Sequence, residues 1–171
     1  MANGNLLKRS SEFKMPDWLG QSILDGALPW EYAPDYTVEK FTETYAVWDS
    51  MWVTLSLNFE SNSSGMLVML LNYRFAHFVK PVSEGEERTN LSSIPEYVIL
   101  IAKIEQITEV LVNVPTEDWM MRHPIGSHEL RDRDGKKVWI IEGESGGDIR
   151  IVFGGRTKIL ALDYDKQIIQ I

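Results

Sequence analysis

The last third of the chain is a series of short apolar runs separated by tight-turn sequences. The runs read SHELRD, KKVWIIE, DIRIVFG, TKILALDY and KQIIQI, all within residues 127–171. Between them lie RDG, GESGG, GGR and DYDK, and Asp134-Gly135 is a strong hairpin signal. These connections are far too short for helical crossovers, so the strands that they join must run antiparallel. We therefore expect an antiparallel meander over this region.

A hairpin precedes the meander. Apolar and polar residues alternate over residues 53–59, the pattern of a strand with one buried face. The turn-type sequence SNSSG follows at residues 61–65, and MLVMLLNYRFAHFV at 66–79 predicts the second strand. On that strand His77 would share a face with Tyr73 and Phe75, which makes this sheet face a candidate ligand surface.

Two segments favour helices. PDWLGQSILD at residues 16–25 predicts a short helix that begins at Pro16, ends at Gly26 and presents one apolar face. Residues 94–113 predict the main helix, because apolar residues recur there at helical spacing after Ser93 as N-cap. The many β-branched residues of the second segment leave a strand as the alternative.

These elements predict an α+β fold, an antiparallel sheet formed by the hairpin and the C-terminal meander, with one main helix packed on one face. The length of 171 residues fits a single domain, which we assign to residues 15–171. Residues 1–14 are polar and net basic. We expect them to be a flexible leader, either native or an addition ahead of a native start at Met15.

The net charge of −8 is unevenly distributed. Residues 15–60 hold eight acidic residues and one lysine, a net charge of −7, together with nine aromatic residues. Carboxylates repel phosphate, so this composition disfavours nucleic acid as a partner and favours a basic protein. The residues that we expect to bind such a partner are Trp30, Glu31, Asp35, Tyr36, Glu39 and Glu43. The alternative is that the aromatics fill the core and the acids only solvate the surface.

The stretch Gly143–Gly147 matches the G-x-S-x-G turn of serine hydrolases. That turn needs a helix after it and a histidine later in the chain, whereas DIRIVF alternates like a strand and no histidine follows Ser145. We therefore interpret this stretch as a hairpin turn, with Gly146 and Gly147 supplying positive φ, and predict no catalytic residues.

His123, His128 and Glu129 are candidates for a metal site, because imidazole and carboxylate ligands suit zinc or iron. Their spacing does not place them on one helix face. The chain has no cysteine, which excludes disulfides and thiolate ligands, and we predict no cofactor.

The sequence thus favours a non-enzymatic, cytoplasmic interaction module that does not bind membranes. A small acidic inhibitor, such as an immunity protein that neutralises a nuclease-like toxin, has this profile. The alternative is an enzyme that binds a metal or small ligand through the His123–Glu129 loop or the His77 sheet face.

Overall fold

The computed structural model describes residues 16–58, 63–80, 90–113, 124–144 and 146–171. Its α-helices are α1 (Asp17–Leu24), α2 (Val38–Thr44) and α3 (Tyr73–Val79), with short 3₁₀ turns at Trp30–Tyr32 and Leu91–Ser93. Its strands are β1 (Met51–Asn58), β2 (Ser64–Asn72), β3 (Tyr97–Ile104), β4 (Ile107–Asn113), β5 (Ile125–Arg133), β6 (Lys136–Gly143), β7 (Asp148–Phe153) and β8 (Thr157–Leu162). The predicted α+β class with antiparallel pairing is confirmed.

The strands form two four-stranded sheets in the orders β1-β2-β3-β8 and β4-β7-β6-β5, called here the first and second sheet. The sheets meet at a shared corner, where β3 continues into β4 and β7 continues into β8. The corner is held by main-chain hydrogen bonds. Glu105 N donates to Arg156 O (3.0 Å), Gly155 N to Glu105 O (3.2 Å) and Gly154 N to Gln106 O (3.1 Å). Both strands of one paired ribbon therefore pass from sheet to sheet at the same place.

The main core lies between the two sheets. Leu67 and Met69 of β2 face Trp139 and Ile141 of β6 and their neighbours in one buried cluster. The residues that alternate with these along the strands of the first sheet point away from the main core. One of them, Val68 of β2, packs in a second cluster with Leu19 and Ile23 of α1. Because side chains alternate along a strand, this arrangement produces three layers: α1, the first sheet and the second sheet.

The predicted helix over residues 94–113 is wrong, because this segment forms β3 and β4. All but one residue of β3 is buried, since the first sheet is covered by α1 on one side and by the second sheet on the other. A strand buried on both faces has no alternating pattern, so its continuous apolar run imitates a helix. The β-branched residues gave the correct signal, and Ser93 ends a 3₁₀ turn instead of capping a helix.

The predicted second hairpin strand is correct only as far as Asn72. The Asn72 side chain accepts a hydrogen bond from Phe75 N (3.1 Å) and acts as the N-cap of α3. The chain therefore turns into a helix at Tyr73. His77 lies on α3, and the proposed His77 sheet face does not exist.

The first hairpin strand also departs from simple alternation. The β1–β2 register shifts between Trp52 and Thr54, which marks a bulge at Val53. As a result Val53 packs against the α1 side of the sheet, whereas Leu55 and Leu57 pack against the main core.

The described residues form three short helices, and one of them, α1, packs on one face of the first sheet, where a helix was expected. The prediction for α1 is confirmed, with Leu19 and Ile23 buried, although Leu24 is 81% exposed. The helix α2 was not predicted. Its N-cap Thr37 accepts a hydrogen bond from Lys40 N (3.3 Å), and the helix packs against β5 and β8, the edges of the two sheets.

The meander is confirmed for β5, β6 and β7, but β8 crosses the corner and joins β3 in the first sheet. Residues 166–171 follow the edge of β8 through one bridge, Leu162 with Ile168, and the Ile169 N to Ala161 O hydrogen bond (2.9 Å). This tail covers an edge that would otherwise present unpaired main-chain groups.

The close packing at the corner predicts that a methyl group added at Gly155 lowers the stability of the fold. A Cβ on Gly155 would lie 2.6 Å from Glu105 O, whereas a Cβ on Gly20 in α1 would meet no atom within 4 Å. We expect Gly155→Ala to lower the free energy of unfolding by about 1–3 kcal/mol through overpacking. Gly20→Ala, the matched control, should leave it unchanged or raise it by up to about 1 kcal/mol. Urea unfolding of both variants tests this, and equal stabilities would contradict it.

Candidate functional site

The segment 17–36, called here the acidic cover, lies over the outer face of the first sheet. It is anchored by Leu19, Ile23 and Leu28, which are buried against β2, β3 and β8. Two hydrogen bonds add to this anchor: Trp18 Nε1 donates to Tyr164 O (2.9 Å), and Lys158 Nζ donates to Trp30 O (2.9 Å). Leu19, Ile23 and Leu28 are therefore used for packing, and the acidic residues of the segment remain at the surface.

The acidic residues of the cover carry unneutralised charge. Asp17, Asp25, Glu31 and Asp35 are all exposed. Across the part of the chain that the structure describes, none of the four lies in an ion pair. The carboxylate of Asp25 accepts a hydrogen bond only from the neutral Gln21 side chain (2.7 Å). These four carboxylates thus contribute their full charge to the field at this surface.

Four of the five acidic residues in the strands of the second sheet are ion-paired, and the fifth, Glu142, accepts a hydrogen bond from Ser127 Oγ (2.9 Å). Arg131 pairs with Glu129 and Arg150 with Asp148. Lys137 pairs with Asp132 at 2.8 Å, and Arg133 with Glu109 at 3.8 Å. Each of these pairs is locally neutral, so the second sheet adds little net field.

The lysines beside the acidic cover are held by groups other than carboxylates. Lys166 Nζ donates to Ser22 Oγ (2.9 Å) and lies 5.6 Å from the centre of the Trp18 ring. Lys158 is bonded to a main-chain carbonyl. Two large apolar side chains, Leu24 at 81% and Tyr32 at 70% exposure, project from the same segment. The cover therefore combines free carboxylates with exposed apolar side chains.

The predicted partner-binding residues separate into two groups. Glu31, Asp35 and Glu43 are exposed. Trp30 is half-buried, and Glu39 is half-buried and accepts a hydrogen bond from Thr157 Oγ1 (3.2 Å).

Tyr36 is a correction to that set. It is only 7% exposed, packs in the main core and donates from its hydroxyl to Lys40 O (3.3 Å). Burial raises its pKa. Its ring is a core residue and is not available at the surface.

His128 has a structural environment. Its Nε2 lies 2.7 Å from Tyr45 O, and Trp139 Nε1 donates to its Nδ1 (3.4 Å). A carbonyl can only accept, so Nε2 carries the proton and Nδ1 is the acceptor. Burial lowers the pKa of His128 from 6.5 to about 4, against the opposing effect of the Tyr45 carbonyl. Both ring nitrogens are therefore engaged and the imidazole is neutral.

The proposed metal ligands are not brought together. His128 and Glu129 are successive residues of β5 and point to opposite faces of the sheet, and Glu129 is paired with Arg131. His123 lies outside the described residues. Within the described ranges no group of three or more histidine, aspartate or glutamate side chains could hold a metal ion.

His77 packs among aromatic rings on α3. Its ring lies edge-on to Tyr73 at 4.4 Å and to Tyr45 at 5.6 Å between ring centres. Burial, followed by the nearby Lys80 charge, lowers its pKa. Tyr73 is buried with it, and burial raises the pKa of that phenol to about 12. No nucleophile or ligand set accompanies His77 among these contacts.

The Gly143–Gly147 stretch connects β6 to β7. Gly143 N donates to Gly147 O (3.0 Å), and Gly146 and Gly147 have φ of 91° and 82°. A strand follows this turn where a nucleophile elbow requires a helix. Ser145 itself lies outside the described residues.

Sequence reasoning missed the exposed apolar side chains of the cover. It expected the apolar residues of this helix to share one face, and it did not single out Tyr32. The signal available was the helical spacing: at 3.6 residues per turn, Leu24 lies about 140° from Leu19 around the helix axis, outside the Leu19–Ile23 stripe.

Comparison with protein-family models found no match, and searches of curated proteins and of solved structures found no significant similarity. Among the described residues, no helix combines the length and apolar character needed to cross a membrane.

The His128 environment predicts a pH-dependent stability. Because the folded pKa is about 4 and the unfolded value is 6.5, the stabilising contribution is present above pH 6.5 and is lost as the pH falls towards 4. Between pH 7.5 and 4.5 we expect the native chain to lose about 2 kcal/mol more unfolding free energy than His128→Gln. Urea unfolding at both pH values measures this, and an equal loss in the two proteins would contradict it.

Proposed function

We propose that this protein is a non-enzymatic interaction module that binds a basic protein partner through the acidic cover. The observation that carries the proposal is the set of exposed, unpaired carboxylates of Asp17, Asp25, Glu31 and Asp35, set against the ion-paired acids of the second sheet. Carboxylates without a counter-charge favour association with cations and give it a strong dependence on salt.

The apolar side chains of the cover support a protein partner over a small cation. Tyr32 and Leu24 expose most of their surface beside these carboxylates. Tyrosine is enriched among the residues that anchor protein interfaces, because its ring buries a large area at a low entropic cost. A basic surface with apolar pockets between its charges would complement this arrangement.

Nucleic acid fits poorly as the partner, since the carboxylates would repel phosphates where binding normally depends on neutralising them. A protein that itself binds nucleic acid presents the complementary positive surface. We therefore propose an inhibitory role, such as that of a cytoplasmic immunity protein that covers the basic substrate cleft of a nuclease-like toxin.

The test is a charge reversal that leaves the packing of the cover intact. The triple variant Asp25→Lys, Glu31→Lys and Asp35→Lys changes exposed side chains only, and it avoids Glu39, which accepts a hydrogen bond from Thr157. Asp25 caps the C-terminus of α1, where a positive charge suits the helix dipole, so the change should not destabilise α1. We expect the native chain to capture a basic protein from native lysate at low salt, and the triple variant to lose at least about 90% of that capture.

A matched control separates local charge from net charge. Glu109→Lys, Asp132→Lys and Glu144→Lys together change the net charge equally, but all three residues belong to the second sheet and its β6–β7 turn. The control variant should retain the captured protein, identified by mass spectrometry, and high salt should release it from both binders. If the triple variant of the acidic cover captured the same protein as the native chain, the proposed binding surface would be wrong.

A further inference from the structure

The strand β4 is an edge of the second sheet with few of the features that protect edges. Among the described residues it pairs only with β7. Five of its seven residues are exposed, and Leu111 and Val112 each expose 47% of their surface. Edge strands are normally protected by charges, proline or bulges. β4 has one charged residue, Glu109, which is paired with Arg133, and its bulge lies at its start, between Ile107 and Glu109.

The register shows which main-chain groups of β4 face outward. Gly143 N donates to Gly147 O, so Gly143 and Gly147 are a hydrogen-bonded pair of the β6–β7 ladder. Hydrogen-bonding direction alternates along a strand, so Ile149 and Ile151 also bond towards β6, and Arg150 bonds towards β4.

The partner of Arg150 in β4 is Leu111, which therefore bonds to β7. Its neighbours Val110 and Val112 direct their N–H and C=O groups away from β7, towards the open edge. On the other side of the bulge, Ile107 also directs its N–H away from β7 and donates to Ser63 O (2.6 Å), because the extra residue between Ile107 and Glu109 shifts the alternation by one position.

We propose that two copies of this chain associate by antiparallel pairing of β4 with β4 around a two-fold axis, forming one continuous eight-stranded sheet. The outward groups of Val110 in one copy bond to those of Val112 in the second copy. This places Leu111 on the axis, opposite its own symmetry mate. The occupant of the edge is thus a second copy of this chain, because the same strand supplies both halves of the match.

The side chains of this register are self-complementary on both faces. Leu111 meets Leu111 on the outer face, beside the apolar strip of Val138, Ile140 and Val152. On the inner face Val110 meets Val112. Glu109 lies opposite Asn113, so no like charges are paired across the interface.

This association is independent of the proposed partner binding. The acidic cover lies over the first sheet, whereas β4 belongs to the second. The four unpaired carboxylates of one copy are therefore not directed at those of the other across this edge.

The position of Leu111 on the axis allows a charge-swap test in the full chain. Leu111→Lys and Leu111→Glu each place two like charges opposite one another, and we expect each variant alone to raise the dimer dissociation constant about tenfold or more. An equimolar mixture of the two should restore a dimer that contains one copy of each. Sedimentation velocity gives the mass, and native mass spectrometry identifies the mixed dimer.

Three further variants test the specificity of the Leu111 effect. Gln21→Lys and Gln21→Glu make the same charge changes on α1, far from β4 in the layer order, and should both remain dimeric. Val112→Pro removes an outward N–H while leaving the hydrogen bonds of β4 to β7, so it should be a folded monomer by circular dichroism.

Three outcomes would overturn the proposal. The first is that the native chain is monomeric at every concentration tested. This outcome includes the case in which the β4 edge pairs with a strand of another protein. The second is a dimer that survives both Leu111 substitutions. The third is a pair of monomeric Leu111 variants that stay monomeric when mixed, because Leu111 would then not lie on the axis. The charge-reversed acidic cover tests partner binding only and does not change the expected oligomeric state. A failure of one proposal is therefore distinguishable from a failure of the other.

Discussion

The ribbon that bends from one sheet into the other is the constraint on which the rest of the structure depends. β3 and β4 form one of its strands, β7 and β8 the other, and the main chain of Gly155 lies so close to Glu105 that no side chain fits between them. This close approach sets the two sheets face to face, so that their inner residues form one core. Because of the same bend, β8 leaves the meander and becomes an edge strand of the first sheet, whereas β4 becomes an edge strand of the second sheet.

The two outer faces of the molecule then acquire different chemistry. The first sheet is covered by a segment that packs through Leu19, Ile23 and Leu28 and whose carboxylates are exposed and lie in no ion pair with the described residues. The second sheet faces outward with an apolar strip surrounded by ion pairs. The proposed basic partner and the proposed second copy of the chain would therefore bind separate surfaces. The first surface has a net negative charge, and the second has main-chain groups that no described strand pairs.

The histidines that suggested chemistry serve the packing instead. The His128 ring joins α2 to the core by linking Tyr45 to Trp139, and its neutral form is what fits a carbonyl on one side and an indole N–H on the other. His77 fills a space between two tyrosine rings. The His128 imidazole is a poor metal ligand, because binding a metal would break the hydrogen bonds that engage both of its ring nitrogens.

The sequence by itself determined the fold class, the antiparallel connections of β5, β6 and β7 and the turn at Gly143–Gly147, because short turns and glycine positions are local properties. It also located the acidic residues, whose exposure follows from the cost of burying charge. Only the tertiary structure decided that residues 94–113 are two strands, since burial on both faces removes the alternation that marks a strand. It likewise decided that Tyr36 is a core residue and that His77 lies on a helix, because both depend on which distant elements pack beside them.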